Sequence, residues 1–371
     1  MHILQLNSYF SDNHLYKEIF RRIDKEHSQT VFVPQGKNSK VEGIELQNGE
    51  IHFANICTPL DRFLYFRKIH KAFSALLDLN VKADFIHAHN LFTDGVLAYK
   101  YKKKYGTNYI VAIRLTDIFL QYKYFIYRRP LANKVLKNAS KIVFISPIQV
   151  EQVLSFFKDE RLKQEIKDKA VVIPNGINSY WLDNKVTEQH TQSEVLNLLF
   201  VGRIVKVKNV FRQLEAVNKL SQKGVPVKLR IIGGKYHHEP DYYNEFLEAI
   251  KDNVNVEYLG EIWDKDIIRK EYQRADMFLM PSISELFGLT YIEAISQNVP
   301  VIYSKNTGIM PYLEGKAYAE MVDQLSVDSI AEGIEKLSAR LSNLGVFSDF
   351  ADDYNWDNIV SKYKDIYDSV R

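Results

Sequence analysis

The chain has 371 residues, 46% of them hydrophobic and 26% charged, which is the composition of a globular protein with too many residues for one ordinary core. Its single cysteine, Cys57, excludes an intramolecular disulfide framework and indicates a reducing compartment. The N-terminus lacks the pattern of a secretory signal, and no apolar run is long enough to span a bilayer. We therefore expect a cytoplasmic protein, either free or at the inner face of the cell membrane.

The net charge of +3 hides an asymmetry between the two halves of the chain. Residues 1–180 contain 27 of the 49 basic residues and 17 of the 46 acidic residues, so this half carries +10 and the remainder carries −7. The whole excess lies in residues 99–141, which hold eleven basic residues and one acid, Asp117. The two halves are therefore expected to face different partners.

In chain order, short apolar runs alternate with amphipathic stretches of helical length. The runs are rich in Val and Ile, which is typical of parallel strands buried on both faces. In the first half, the pattern predicts strands at 2–6, 30–33, 85–88, 109–113, 142–145 and 171–173, and helices at 16–25, 64–79 and 95–105.

The alternation restarts after a polar, aperiodic segment at 182–194. The second half is predicted to contain strands at 196–201, 227–232, 256–259, 277–280 and 299–303, and helices at 209–220, 242–251, 289–297 and 327–344. The two series together predict two doubly wound α/β domains.

The segment PSISELFGLTYIEAISQNVPVIY, residues 281–303, is the first candidate for a binding site. A strand ends at Pro281, a polar turn follows, and a helix begins after Gly288. The free N–H groups at a helix start bind phosphate, and glycine lets a ligand approach the backbone closely. Glu285 and Glu293 add carboxylates that can accept hydrogen bonds from paired sugar hydroxyls. The alternative is a surface helix with two solvated glutamates.

The segment VGRIVKVKN, residues 201–209, is again a strand end, a glycine turn and a helix start, here with fixed cations. Arg203 and Lys208 suit a diphosphate, Arg203 as a planar fork and Lys208 as a point charge. Ordinary basic residues on a loop are the alternative, and this alternative is favoured for Lys206. The chain has no GxxxxGK[ST] motif, which excludes a P-loop.

These segments together resemble the retaining glycosyltransferases of GT-B fold, specifically glycosyltransferase family 4, over nearly the whole chain. VGRIVKVKN is similar to the family's G-R-x4-K element, and ELFGLTYIE, residues 285–293, is similar to its E-x7-E signature. IPNGIN, residues 173–178, resembles its P-N-G-[IV]-D turn, with Asn178 in place of Asp. YNWDNIVSKYKDIY, residues 354–367, resembles its closing helix.

The resemblance implies two Rossmann-like doubly wound domains that face each other across a cleft, with a C-terminal helix that crosses back to the first domain. The implied boundaries are 1–181 for the acceptor-binding domain, 195–352 for the donor-binding domain and 353–371 for the returning helix. The implied reaction moves a sugar, with retention and without a metal, from a nucleoside diphosphate sugar to a glycan or polyprenyl-linked acceptor in bacterial surface polysaccharide synthesis.

Residue roles follow from the same resemblance. Arg203 and Lys208 are expected to hold the donor diphosphate, Glu285 the sugar hydroxyls and Glu293 the ribose. Further donor contacts are expected at Gly233, Gly234, Phe287, Gly288 and Leu289.

The first domain departs from the family pattern. Its loop at 7–13 lacks the family's glycine pair, and AIRLTD, residues 112–117, keeps Asp117 but has Arg114 where histidine is expected. His89 ends a strand that resembles the family's I-H-x-H element. We predict that His89, Arg114 and Asp117 lie at the reaction centre. Arg114 is compatible with phosphate or anionic-acceptor binding, with a changed substrate and with lost activity.

The sequence leaves alternatives open for both function and partners. A GT-B nucleotide-sugar epimerase and a non-catalytic GT-B subunit share the same fold. The basic stretch 99–141 contains YKYFIYRR, residues 122–129, and such interleaved aromatic and basic residues predict contact with an anionic membrane. A solvated basic face is the alternative there, and nucleic acid is disfavoured because the other motifs indicate a sugar nucleotide.

Overall fold

A computed structural model of the protein describes residues 1–10, 14–36, 44–114, 116–189 and 193–370. These residues form two units, Met1–Asn175 with Trp356–Arg371 and Gly176–Asn355. Each unit is built around one parallel sheet with helices on both faces. Among the described helices, none has both the length and the apolar character that crossing a membrane requires.

The first unit contains a seven-stranded sheet in the order β3-β2-β1-β4-β5-β6-β7. Its strands are β1 (His2–Leu6), β2 (Ser28–Gly36), β3 (Gly49–Cys57), β4 (Phe85–Ala88), β5 (Asn108–Ala112), β6 (Lys141–Phe144) and β7 (Ala170–Val172). Every neighbouring pair is parallel, and the direction of winding reverses between β1 and β4.

Helices cover both faces of this sheet because each presents one apolar stripe. One buried cluster holds the apolar residues of α2 and α3, and a second cluster on the other face holds those of α1 and α14. The helices of this unit are α1 (His14–Ile23), α2 (Tyr65–Asp78), α3 (Asp94–Tyr105), α4 (Arg129–Asn138), α5 (Pro147–Leu154), α6 (Glu160–Lys169) and α14 (Trp356–Ser369).

The second unit contains a six-stranded sheet in the order β10-β9-β8-β11-β12-β13, again parallel throughout. Its strands are β8 (Leu196–Val201), β9 (Val227–Ile232), β10 (Val256–Gly260), β11 (Met277–Leu279), β12 (Val301–Ser304) and β13 (Ala319–Val322). Its helices are α7 (Ser179–Asp183), α8 (Val210–Gln222), α9 (Pro240–Ile250), α10 (Lys265–Arg274), α11 (Leu289–Ser296), α12 (Met310–Leu313) and α13 (Val327–Ser338).

The predicted fold class is confirmed: both units are doubly wound parallel α/β structures. The sequence pattern missed two strands, β3 and β13, and both lie at a sheet edge. Edge strands are covered less completely, so they need no continuous apolar run. All described residues of β3 are at least partly exposed.

Helix α14 closes the first unit from the far end of the chain. Its apolar stripe includes Trp356, Tyr363 and Tyr367, all buried. A buried hydrogen bond of 2.7 Å joins Tyr367 Oη to His87 Nδ1, which lies on the central strand β4. An ion pair of 2.8 Å between Arg22 Nε and an Asp357 carboxylate oxygen joins α14 to α1. The C-terminal residues are therefore part of this unit's core.

Replacing Tyr367 by Phe should lower the free energy of unfolding of the first unit by about 1–3 kcal/mol, because His87 loses a buried partner. Urea unfolding followed by circular dichroism measures the change. Tyr105→Phe is the matched control, since Tyr105 is 52% exposed in the same unit. An unchanged unfolding midpoint for Tyr367→Phe would show that this hydrogen bond does not hold α14.

Candidate functional site

The topology of the second sheet brings two distant segments together. Because β8 and β11 are parallel neighbours, their carboxyl ends lie at the same edge, where the winding reverses. Residues 202–208 follow β8, and residues 280–288 follow β11. The amide of Ile283 donates to the carbonyl of Val207 over 2.8 Å, and Asn209 Nδ2 donates to the carbonyl of Pro281 over 3.0 Å. The two predicted donor motifs therefore form one structure.

An ion pair lies at the centre of this structure. Lys208 Nζ contacts Glu285 Oε2, and their side chains are 21% and 16% exposed. Lys208 Nζ also lies 3.6 Å from Met280 Sδ. Each charge is compensated by the other at a partly water-accessible position. A phosphate ligand can therefore replace Glu285 as the partner of Lys208, and hydroxyl donors can replace Lys208 as the partner of Glu285.

Arg203 is exposed and is oriented by an aromatic ring. Its Cζ atom lies 4.9 Å from the ring centre of Tyr236, which follows β9. This cation–π contact restricts the guanidinium without using its N–H donors. The neighbouring Lys206 is also exposed, and its backbone N–H donates to Glu239 over 2.8 Å. Tyr236 therefore orients the Arg203 side chain.

Gly233 and Gly234 lie where the ends of β8 and β9 pack closely. A Cβ atom on Gly233 would lie 1.8 Å from the Gly202 carbonyl oxygen. A Cβ atom on Gly234 would lie 2.4 Å from the carboxyl carbon of Glu261. Close backbone packing thus requires a glycine at 233, whereas at 234 the exposed Glu261 side chain could move away. The predicted contact of both glycines with the donor stays a prediction.

The start of α11 has the geometry of an anion site. Gly288 adopts a left-handed conformation, with φ of 84°. Within the described residues, the N–H groups of Phe287, Gly288 and Leu289 have no hydrogen-bond acceptor. The Phe287 ring is buried against Tyr312, with 5.5 Å between ring centres, and fixes the turn from below. Free amides and the helix dipole favour negative charge here.

Glu293 lies in the second turn of α11, and polar groups of the protein surround its carboxylate. The indole N–H of Trp181 on α7 and the hydroxyl of Tyr272 on α10 lie beside it, and the Tyr272 hydroxyl donates to the carbonyl of Thr290 over 3.4 Å. Burial raises the pKa of Glu293 to about 7, although these two groups and Lys265 oppose the rise. A carboxylate has about four acceptor positions, so these two groups leave room for hydroxyls of a ligand. Its predicted ribose contact stays a prediction.

The second group of predicted residues lies in the first unit, where β4 and β5 end. The backbone N–H groups of Leu91 and Arg114 donate to Asp117 Oδ2 over 3.0 and 2.9 Å. Arg114 Nε donates to the carbonyl of His89 over 3.0 Å. The structure therefore brings His89, Arg114 and Asp117 together. Asp117 is fully buried, and burial raises its pKa to about 6.

The ring of His89 is enclosed rather than open to a ligand. It is fully buried between Tyr16 and Phe20, with ring centres at 5.1 and 5.3 Å, and its Nε2 lies 2.9 Å from Gln5 Oε1. Burial, with the charges of nearby groups, holds the pKa of His89 well below its ordinary value. The neutral ring packs against Tyr16 and Phe20, and the backbone carbonyl of His89 positions Arg114. These contacts favour a positioning role over direct contact with substrate.

The loop after β1 is held by a buried carboxylate, Asp94, which the motifs did not indicate. The Ser8 N–H donates to the Asp94 carboxylate at 3.0 Å, and Asn90 Nδ2 donates to Ser8 Oγ at 2.7 Å. Asp94 begins α3, and burial raises its pKa well above the ordinary value. An acid immediately before the predicted helix at 95–105 is the one sequence signal for it. The loop therefore has side-chain support where the family pattern has glycines.

Two family models match consecutive parts of the chain. The model described as Glycosyltransferase Family 4 matches residues 15–180, and the model described as Glycosyl transferases group 1 matches residues 184–340. The first match contains His89, Arg114 and Asp117, and the second contains Arg203, Lys208 and Glu285. Both candidate groups thus lie inside the matched ranges.

Among curated proteins, the chain is similar to an uncharacterized glycosyltransferase of Methanocaldococcus jannaschii, with 26% identity over 62% of this chain and 60% of that protein. It is also similar to the capsular polysaccharide biosynthesis glycosyltransferase CapM of Staphylococcus aureus, with 30% identity over 44% of this chain and 43% of that protein. The matched regions thus span less than two thirds of either relative.

Two solved structures share the fold over the whole chain. Sucrose-phosphate synthase from Thermosynechococcus elongatus has a TM-score of 0.77 at 16% identity, covering 100% of this chain and 99% of that one. HepE from Anabaena, in complex with UDP and glucose, has a TM-score of 0.68 at 15% identity, covering 100% of both chains. At these identities the likeness shows the fold alone.

Gly288→Ala should destabilise the second unit by about 2–4 kcal/mol and weaken nucleotide binding, because the new Cβ would lie 2.6 Å from the Tyr291 ring. Gly315→Ala is the matched control: it has φ of 76° with no atom within 4 Å, so only the left-handed strain of about 1 kcal/mol applies. Thermal denaturation and titration with UDP measure both effects. Equal losses in the two variants would contradict the role of the crowded turn.

Glu293→Gln should remove part of the pH dependence of stability. The pKa of Glu293 is raised from its ordinary value of 4.5 to about 7 in the folded state, so the folded state holds the carboxyl proton more tightly. The second unit therefore loses stability as pH rises from 4.5 through 7. The free energy of unfolding of the wild type should fall by about 2–3 kcal/mol between pH 4.5 and 7 from this group alone. The variant should not show this fall. Urea unfolding across this range, with exposed Glu314→Gln as control, measures it. A wild-type slope in Glu293→Gln would contradict the assignment.

Proposed function

Because the chain belongs to the GT-B glycosyltransferases of group 1 and family 4, we propose that it transfers a sugar, with retention of configuration, from a nucleoside diphosphate sugar to a hydroxyl of a glycan or lipid-linked saccharide. The ion pair between Lys208 and Glu285 carries this proposal, because it combines a phosphate ligand and a sugar ligand beside free amides at a helix start.

In the proposed donor site, three kinds of protein group bind different parts of the nucleotide sugar. Arg203 and Lys208 bind the diphosphate, and the amides of Gly288 and Leu289 add neutral donors. Glu285 exchanges Lys208 for hydroxyls of the donor sugar. Such exchange is inexpensive because both charges are already partly hydrated and neither becomes unpaired.

The proposed chemistry is electrostatic. When the bond between the anomeric carbon and the diphosphate breaks, negative charge develops on the leaving phosphate, and Arg203 and Lys208 lie where they can stabilise it. The acceptor hydroxyl attacks from the same face, and the departing diphosphate takes its proton. In this proposal the two cations supply the charge that a metal would otherwise supply, so no resident metal is required.

We assign acceptor recognition to the first unit. Arg114 replaces the histidine of the family pattern, and its guanidinium lies 5.6 Å from the Tyr16 ring centre. A fixed cation there favours an acceptor with a phosphate or another anionic group. The similarity to CapM, named for capsular polysaccharide biosynthesis, supports a role in surface polysaccharide synthesis.

A screen of UDP, GDP and ADP and their sugars by thermal shift identifies the donor, and NMR of the products then tests the reaction. We expect one nucleotide to stabilise the protein and its sugar to be transferred, or slowly hydrolysed without acceptor. A changed sugar in the absence of acceptor would indicate an epimerase. Absence of nucleotide binding in calorimetry would indicate a non-catalytic subunit.

Arg203→Ala should lower kcat by about 100-fold or more without unfolding the protein, because one donor to the leaving phosphate is lost. Lys206→Ala is the matched control, since Lys206 is also an exposed cation in the same loop. Steady-state kinetics with the identified donor, together with circular dichroism, make the comparison. Normal turnover in Arg203→Ala, or equal losses in both variants, would refute the donor site.

A further inference from the structure

Two loops of the first unit expose an unusual number of large hydrophobic side chains. Of the twenty such side chains that are exposed in the described part of the chain, nine lie in residues 60–66 and 119–127. The nine are Leu60, Phe63, Leu64, Phe66, Phe119, Leu120, Tyr124, Ile126 and Tyr127. Single exposed apolar residues are normal, but a continuous group marks an interaction site.

The two loops form one surface, which we call the apolar edge surface (residues 60–66 and 119–127). The rings of Phe66 and Tyr127 contact each other, with 6.1 Å between their centres. Arg128 is buried beneath them, and its Cζ lies 4.1 Å from the Tyr65 ring and 4.2 Å from the Phe125 ring. This caged cation fastens one loop to the other, so their exposed side chains are held outward together.

The sheet topology fixes where this surface lies. Residues 60–66 follow β3 and residues 119–127 follow β5, so both loops leave the carboxyl edge of the first parallel sheet. The lysines at the end of α3 are at the opposite edge, because α3 ends just before β5 begins: Lys102 Nζ lies 3.1 Å from Asn108 Oδ1 at the start of that strand. The basic stretch 99–141 is therefore not one surface, and the prediction that it acts as a unit needs this correction.

The charge of the apolar edge surface complements an anionic layer. The cations beside it in the chain are Arg67, Lys68, Lys71, Lys123 and Arg129, whereas Arg128 is buried beneath it. Arg67 and Lys71 pair with Asp61, at 3.6 and 2.9 Å from its carboxylate oxygens, so one of these charges is offset. Residues 58–71 and 116–129 contain two acids, Asp61 and Asp117, and both are buried. Aromatic and aliphatic tips with surrounding cations match the boundary between lipid headgroups and acyl chains. Nucleic acid would leave Leu60, Leu64 and Ile126 without apolar partners.

We infer that the apolar edge surface docks on an anionic lipid bilayer. It adjoins the predicted acceptor group, because Tyr65 Oη donates to the carbonyl of Phe92 over 2.5 Å and the N–H of the preceding residue, Leu91, donates to Asp117. Docking therefore places Arg114 and Asp117 beside the headgroup layer. The consequence that the acceptor carries a lipid rests on the proposed function, whereas bilayer docking itself does not.

Co-sedimentation with vesicles of phosphatidylglycerol and phosphatidylcholine, without nucleotide, tests the docking. The double variant Phe63→Ser with Ile126→Ser removes two apolar tips that are 81% and 64% exposed, so folding should be retained. We expect it to lower the vesicle partition coefficient about tenfold or more. Raising salt from about 0.05 to about 0.5 M should also weaken wild-type binding, because screening reduces the attraction of the cations.

Two control variants locate the binding. Val254→Ser changes an apolar side chain that is 88% exposed in the second unit, and should leave the partition coefficient unchanged within about twofold. Lys103→Gln with Lys104→Gln removes cations from the opposite edge and should likewise change it less than about twofold. Greater loss in the lysine variant than in the apolar variant would overturn the inference.

Two other results would also overturn it. If the wild-type protein fails to sediment with vesicles at low salt, it has no surface that binds a bilayer. A wild-type dimer in light scattering that dissociates in Phe63→Ser with Ile126→Ser, without vesicle binding, would assign the surface to a second copy of the chain. Vesicle binding without any sugar transfer would overturn the proposed function and leave the docking intact.

Discussion

Parallel pairing of neighbouring strands is the constraint on which both candidate groups depend, β4 with β5 in the first unit and β8 with β11 in the second. In the second unit, β8 and β11 are distant in the chain but become neighbours, and their carboxyl ends lie at one edge. Because the winding reverses there, the loops that follow leave toward opposite faces and a crevice remains between them. Lys208 meets Glu285 only because of this reversal. At the corresponding edge of the first sheet, His89 and Arg114 leave the neighbouring strands β4 and β5.

Burial then decides how the charges at these edges behave. Lys208 and Glu285 are partly exposed and compensate each other, so a ligand with complementary groups can replace each partner. Asp117 is fully buried, and burial raises its pKa, although the backbone N–H groups that hold its carboxylate and the charge of Arg114 oppose the rise. The second unit therefore carries exchangeable charges, which suits binding and release of a diphosphate. The first unit carries fixed polar groups, which suit the positioning of an acceptor.

The sequence predicted those features that depend on local pattern. The central strands have continuous apolar runs, and the donor motifs are short strand–turn–helix segments, so both could be identified. Strands β3 and β13 could not, because edge strands need no such run. The partners of Glu293 and the rings that enclose His89 come from remote segments, so only the fold shows them. The basic stretch 99–141 was treated as one surface because charge composition does not show that β5 separates its two ends.

One segment joins the two properties of the first unit. The turn Asp117–Tyr122 is π-helical, and it directs Asp117 into the interior while Phe119 and Leu120 face outward. Such wide turns are rare in proteins, but those that occur are often found at functional sites. The extra residue in the turn changes the direction of the neighbouring side chains. Here the buried carboxylate and the exposed apolar tips are fixed by the same turn. In the proposed arrangement, the depth at which the loop enters the headgroup layer therefore also sets the position of Arg114 and Asp117 relative to a lipid-borne acceptor.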